Sequence, residues 1–138
     1  MASDTKNPCV FLGGTCADSG WREELIPHLE IDYFHPIVEE WDDAAQQREL
    51  DAREHSEFCL YVLSPRLEGF YSIAEVVDDS NKRPKKTIFC YLEEDGDMAF
   101  TSWQIKSLNA VGRLVLENGA TWCQSLKEVA EHLNKQSA

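Results

Sequence analysis

The chain lacks the residue spacings on which stapled and metal-built proteins rest. Its five cysteines (Cys9, Cys16, Cys59, Cys90 and Cys123) are odd in number and include no C-x-x-C pair, which argues against a disulfide framework and a zinc site alike. None of the four histidines stands four residues from another, so a helical metal pair is missing too. No metal and no cofactor are expected. Positive charge is scarce: 13 Lys and Arg face 25 Asp and Glu, a net charge of −12. Phosphate backbones are held mainly by Lys and Arg, so nucleic acid is not an expected partner. A nucleotide-sized ligand stays open, because a single loop can favour an anion locally. No apolar run approaches the ~20 residues of a membrane span, and the N-terminus has no charged-then-apolar leader pattern. No membrane partner is expected. Cys9, Cys59 and Cys90 fall inside apolar segments, where a reduced thiol behaves as a small hydrophobe, so a cytoplasmic setting is expected. Repeats, low-complexity stretches and linkers are also missing, and 138 residues suit one domain spanning 1–138.

What is present is an alternation. Short apolar runs at 9–12, 31–35, 58–63, 86–92 and 120–122 read as strands. Between and after them, 19–29, 44–56, 72–80, 102–117 and 125–133 have helical spacing or composition. Pro27 interrupts the first of these helices, and Gly112 weakens the fourth. The segment 93–97 is an acidic loop. Five strand-then-helix units in this length predict an α/β protein: a flavodoxin-like three-layer sandwich with a five-stranded parallel sheet.

In that order, the loops after the first and third strands flank the point where ligands bind. The first loop is Gly13-Gly14-Thr15-Cys16-Ala17-Asp18-Ser19. Glycines let a ligand approach the backbone closely, Thr15 and Ser19 offer hydroxyls, and Arg22 adds a charge one turn on. The same residues also suit a tight strand-to-helix turn with Ser19 as N-cap. The third-strand loop runs Ser64-Pro65-Arg66-Leu67-Glu68-Gly69-Phe70-Tyr71 into Ser72-Ile73-Ala74-Glu75. Ser72 and Glu75 fit a capping box, so Glu75 is either a helix cap or the reactive carboxylate on the rim of the crevice. Trp41 can stack on a base or pack beneath the second helix. Glu49 and Asp51 fit a solvated helix face, and Asp78 and Asp79 are expected as surface charges.

Taken together these residues resemble the nucleoside 2-deoxyribosyltransferase-like family, whose superfamily includes the 2′-deoxynucleoside 5′-phosphate N-hydrolases. The resemblance rests on Phe11-Leu12-Gly13-Gly14-Thr15 with Trp21-Arg22, on His35-Pro36 followed by Trp41, and on the serine–proline loop to Glu75. It continues through Lys106-Ser107-Leu108 and Asn118-Gly119-Ala120. It implies that Glu75 is the nucleophile attacking the anomeric carbon, and that Glu49 holds or protonates the departing base. Gly13, Gly14 and Thr15 would line the sugar or phosphate site, with Ser64 or Ser72 donating hydrogen bonds. A helix N-terminus would keep Glu75 ionised. The expected ligand is a small-molecule nucleoside or nucleotide, and the expected assembly a homo-oligomer with the helix after Ser102 as a contact. One departure stands out: the family's transferases carry a Tyr on the first strand where this chain has Phe11. The alternative is a non-catalytic module sensing a nucleotide or ADP-ribose.

Overall fold

The computed structural model describes residues 8–16, 19–36 and 42–135. The strands are β1 (Cys9–Gly14), β2 (Asp32–Phe34), β3 (Phe58–Leu63), β4 (Thr87–Tyr91) and β7 (Thr121–Cys123), with a small hairpin of β5 (Glu94–Asp95) and β6 (Met98–Ala99). The helices are α1 (Trp21–Leu25), α2 (Asp43–His55), α3 (Tyr71–Lys82), α4 (Ser102–Glu117) and α5 (Leu126–Asn134). The main sheet has five strands in the order β2-β1-β3-β4-β7, every pair parallel. This is the flavodoxin-like order, with its switch point between β1 and β3.

Side chains alternate across a strand, and the two faces of this sheet bury separate cores. Val10, Leu12, Leu60, Val62, Ile88 and Cys90 point to one side, against Trp21 and Leu25 of α1 and Val129 and Leu133 of α5. Phe11, Cys59, Tyr61, Leu63 and Phe89 point to the other, against Ala52 of α2, Val76 of α3 and Leu108 and Val115 of α4. The strands read as near-continuous apolar runs because both faces are covered.

Several expected boundaries move for local reasons. Pro27 ends α1 early, and the chain passes into a 3-10 turn over Ile26–His28. Ser19 is not the N-cap of α1. Gly20 holds that position, because the first helical bond runs from the Glu24 N–H to the Gly20 carbonyl. Ser72 does not cap α3 either. The Ile73 N–H already bonds to the Phe70 carbonyl, so the turn forms earlier and Ser72 lies inside the helix, whose start has no side-chain cap. The acidic loop is largely the β5–β6 hairpin. Gly112 has a packing reason: a Cβ there would meet the Trp122 ring at 2.5 Å. Among the described residues no helix is long and apolar enough to cross a membrane.

Candidate active site

Gly14 closes β1 with φ +115°, and a Cβ on it would lie 2.0 Å from the Val62 carbonyl oxygen. Only glycine makes that turn against β3 without strain. Immediately beyond it, the two loops are knitted together. The Thr15 N–H donates to the Val62 carbonyl at 2.9 Å, and the Ser64 N–H donates to Thr15 Oγ1 at 2.9 Å. From behind, Trp21 Nε1 donates to the Thr15 carbonyl at 2.8 Å. Arg22 is fully buried there. Its Nε and Nη2 donate to the Leu12 carbonyl and its Nη1 to the Thr15 carbonyl, at 2.8–3.0 Å. The expected role of Arg22 as a charge offered to an anion therefore changes: its donors hold the main chain of the loop in place.

Above these loops is a cavity of about 640 Å³ at the carboxyl ends of β1 and β3. Of the residues singled out from sequence, it is lined by Phe11, Gly13, Gly14, Thr15, Arg22, Glu49, Ser72 and Glu75. Elements far apart in the chain converge here: α2 brings Glu49, α3 brings Glu75, and β1 brings the glycines. Ser64 is not among the lining residues. Its hydroxyl donates to Asp95 Oδ2 at 2.6 Å. Trp41 lies outside the described residues. Phe11 forms an aromatic wall, its ring stacked on Phe34 at a 5.9 Å centroid separation and tilted against Tyr61. Cys16, Leu67, Glu68, Gly69 and Tyr71 also contribute to the lining.

Glu75 sits one turn into α3 and is only 8% exposed. Its main chain is past the unsatisfied first-turn N–H groups, so the helix end does little for its charge. The expectation of a carboxylate held ionised by a helix N-terminus is thereby corrected. Burial pushes its pKa up to about 7, opposed by the Arg53 guanidinium and reinforced by the negative charges of Glu49, Asp79 and Asp78. Across the cavity, the charge of Glu49 thus disfavours ionisation of Glu75.

The residue that sequence reasoning missed is Arg53. It is buried on α2, with Nη1 3.7 Å from Glu75 Oε2. Its Nε and Nη2 donate to the two oxygens of Asp79 at 3.2 and 3.0 Å, and Nη2 also reaches Asp78 at 3.0 Å. Burial by itself lowers the Arg53 pKa, yet the hydrogen bonds and charge of Asp79, with Tyr61 and Glu75, more than offset this, so the guanidinium stays protonated. Asp79 is fully buried, contrary to its expected place on the surface. It also pairs with Arg83 and accepts from the Tyr61 hydroxyl at 2.5 Å. A signal for this existed. Residues 43–55 have almost no apolar stripe, and a helix that packs on a sheet without one must bury something polar.

The family described as nucleoside 2-deoxyribosyltransferase like matches residues 7–94, which hold β1 to β4 and every described lining residue of the cavity. The chain belongs to that family. Comparison with curated proteins and with solved structures finds no match. Within this nucleoside 2-deoxyribosyltransferase-like chain the family match stops at Glu94, while the sheet continues: β7, beyond it, pairs with β4.

Proposed function

We propose that this chain breaks the N-glycosidic bond of a deoxynucleoside or nucleoside, or of its 5′-monophosphate, by way of a glycosyl-enzyme intermediate on Glu75. The observation that carries the reading is the convergence of Glu75 and Glu49 on one cavity with the Gly13-Gly14 turn, in a chain of this family. Glu75, when ionised, attacks the anomeric carbon. The carbon–nitrogen bond breaks, its electron pair leaves with the base, and Glu49 holds or protonates that base. Water then attacks the glycosyl ester and releases the sugar, or a second base does so and completes an exchange. Gly13, Gly14 and Thr15 offer a close backbone wall for the sugar, Phe11 an apolar face, and Ser72 a hydroxyl at the rim.

Chromatography of free bases after incubation with nucleosides, deoxynucleosides and their monophosphates tests this directly. The expected result is release of base from at least one of them. Saturable ligand binding with no base released would instead make the chain a nucleotide- or ADP-ribose-sensing module. A homo-oligomer belongs to the same proposal, with α4 as a contact. Trp103, on the first turn of α4, is 76% exposed, an unusual position for an indole in a monomer. Light scattering should return at least twice the chain mass, and a monomeric mass would remove this part of the reading.

A further inference from the structure

Arg53 divides its guanidinium between carboxylates of α3. Nε and Nη2 form a fork on Asp79, at 3.2 and 3.0 Å. Nη1 is left facing Glu75 Oε2 at 3.7 Å, an ion-pair distance and too long for a hydrogen bond. Asp79 follows Glu75 by one helical turn, so both carboxyls lie on the same face of α3. Glu75 therefore has a cation beside it that donates no hydrogen bond to it. How much of that cation Glu75 feels depends on how firmly Asp79 holds the rest of the guanidinium.

Tyr61 holds Asp79 from the other side. Its hydroxyl donates to Asp79 Oδ2 at 2.5 Å, and neither residue is exposed to solvent. Burial and the negative charge of Asp79 keep that phenol protonated, so it remains a donor. The same ring backs the cavity wall: a Cβ on Gly13 would meet it at 2.7 Å, and it is tilted against Phe11. Phenylalanine would fill that space equally well, so what the hydroxyl adds is the bond to Asp79. Arg83 pairs with Asp79 too, which keeps Asp79 ionised when another partner is lost. The charged groups that act on Glu75 are Arg53 and Glu49 from α2 and Asp79 and Asp78 from its own helix. Arg22 and Glu68 line the same cavity.

We propose that Tyr61 and Asp79 are positioning residues for Glu75, acting through the share of Arg53 that Asp79 leaves to it. This rests on the reading of Glu75 as the nucleophile and adds the residues that set when it is ionised. Asp79 acts on Glu75 twice with one sign. It is a negative charge one turn away, and it draws the guanidinium toward itself. Both effects favour the protonated carboxyl. The Tyr61 hydroxyl opposes both, because its hydrogen bond takes up part of the Asp79 charge. Removing that hydroxyl and removing that charge should therefore move Glu75 in opposite directions.

Tyr61→Phe keeps the ring and Asp79→Asn keeps the shape, so each withdraws one of these effects. Two titrations are followed from about pH 5 to about pH 9. One is kcat/KM for base release. The other is the 13C carboxyl shift of Glu75 in glutamate-labelled protein, assigned by its loss in Glu75→Gln. In Tyr61→Phe the midpoint is expected above the wild-type value of about 7, by roughly half a unit to one unit. At about pH 6 this is a loss of roughly three- to tenfold in kcat/KM. In Asp79→Asn the midpoint is expected below that of the wild type. Lost stability alone would lower the melting temperature of both variants without separating their midpoints. Equal midpoints, or shifts of one sign, overturn the inference and leave the glycosidase reading standing. If the labelled carboxyl moves as expected while the folded wild type releases no base, the control of Glu75 stands and the glycosidase reading falls. Should Asp79→Asn fail to fold, Tyr61→Phe decides alone, and an unmoved midpoint in it overturns the proposal.

Discussion

Glu75→Gln is expected to lose base release by roughly a thousandfold or more while the protein becomes harder to melt above pH 7. The two effects have one cause. The cavity holds a carboxyl whose burial raises its pKa to about 7, so keeping it ionised works against the fold. Linkage gives the sign. The folded state binds this proton more tightly than the unfolded chain, whose glutamate titrates near the ordinary 4.5. The group's contribution to stability is therefore fully present below about pH 4.5 and lost as pH rises through about 7. Above that pH the ionised group is a standing cost, up to about 3 kcal/mol for a shift of this size. Glutamine removes the titration and keeps the shape. Thermal melts at pH 5 and pH 8 should show the Gln variant gaining on the wild type only at the higher pH. In the active protein, kcat/KM should rise about tenfold per pH unit on the acid side and level off above about 7. A Gln variant that still releases base would end the case for Glu75 as nucleophile. A variant whose melting matches the wild type at both pH values would contradict the buried, raised carboxyl.

Arg53→Met should destabilise the protein by about 3–5 kcal/mol. Methionine replaces the aliphatic length of arginine, but it strands Asp79, a carboxylate with no solvent exposure. Arg83 and Tyr61 still touch Asp79, which is why the loss falls short of leaving the charge entirely alone. Denaturant unfolding reads the loss as a lower midpoint with unchanged slope. The same substitution withdraws the cation that partly offsets the raised pKa of Glu75. In whatever protein still folds, the acid limb of the rate profile should move upward from about 7. Arg53→Lys keeps the charge without the fork geometry that engages Asp78 and Asp79 together, and should recover part of both losses. A stable Arg53→Met protein with an unmoved profile would show that the guanidinium neither anchors Asp79 nor steadies Glu75.

These two results bear on what was visible in advance. The 58–63 run was legible as a strand because six apolar residues in succession have to be covered on both faces. Helix 102–117 was legible from its 3.6-residue apolar spacing, even with Gly112 inside it, because Trp122 fills the space that glycine leaves. The Gly13-Gly14 turn and Glu75 could be singled out from their place after the first and third strands. The ends of short elements were not legible. Ser19 and Ser72 both have good capping chemistry, yet the backbone closed its first helical bond one or two residues away, and the Ser19 hydroxyl donates to Asp95 instead. Arg53 and Asp95 were passed over, and Asp79 was expected on the surface, for a common reason: they have partners in other elements. Arg53 and Asp79 are 26 residues apart, and Asp95 meets Ser19 across 76. A charged residue on a helix looks solvated until the neighbour that buries it is known.

The sequence by itself determined the alternation of strand and helix, hence a parallel sheet with two buried faces, and the glycine turn that opens the cavity. Those follow from local spacing and steric limits, which act over a few residues. Only the tertiary structure decided that Glu75 titrates near neutrality, that Arg53 and Asp79 are buried beneath it, and that Asp95 holds the neighbouring donors. Desolvation and charge pairing sum over every group within a few ångströms, and in this fold those groups come from α2, α3, β3 and the β5–β6 hairpin at once.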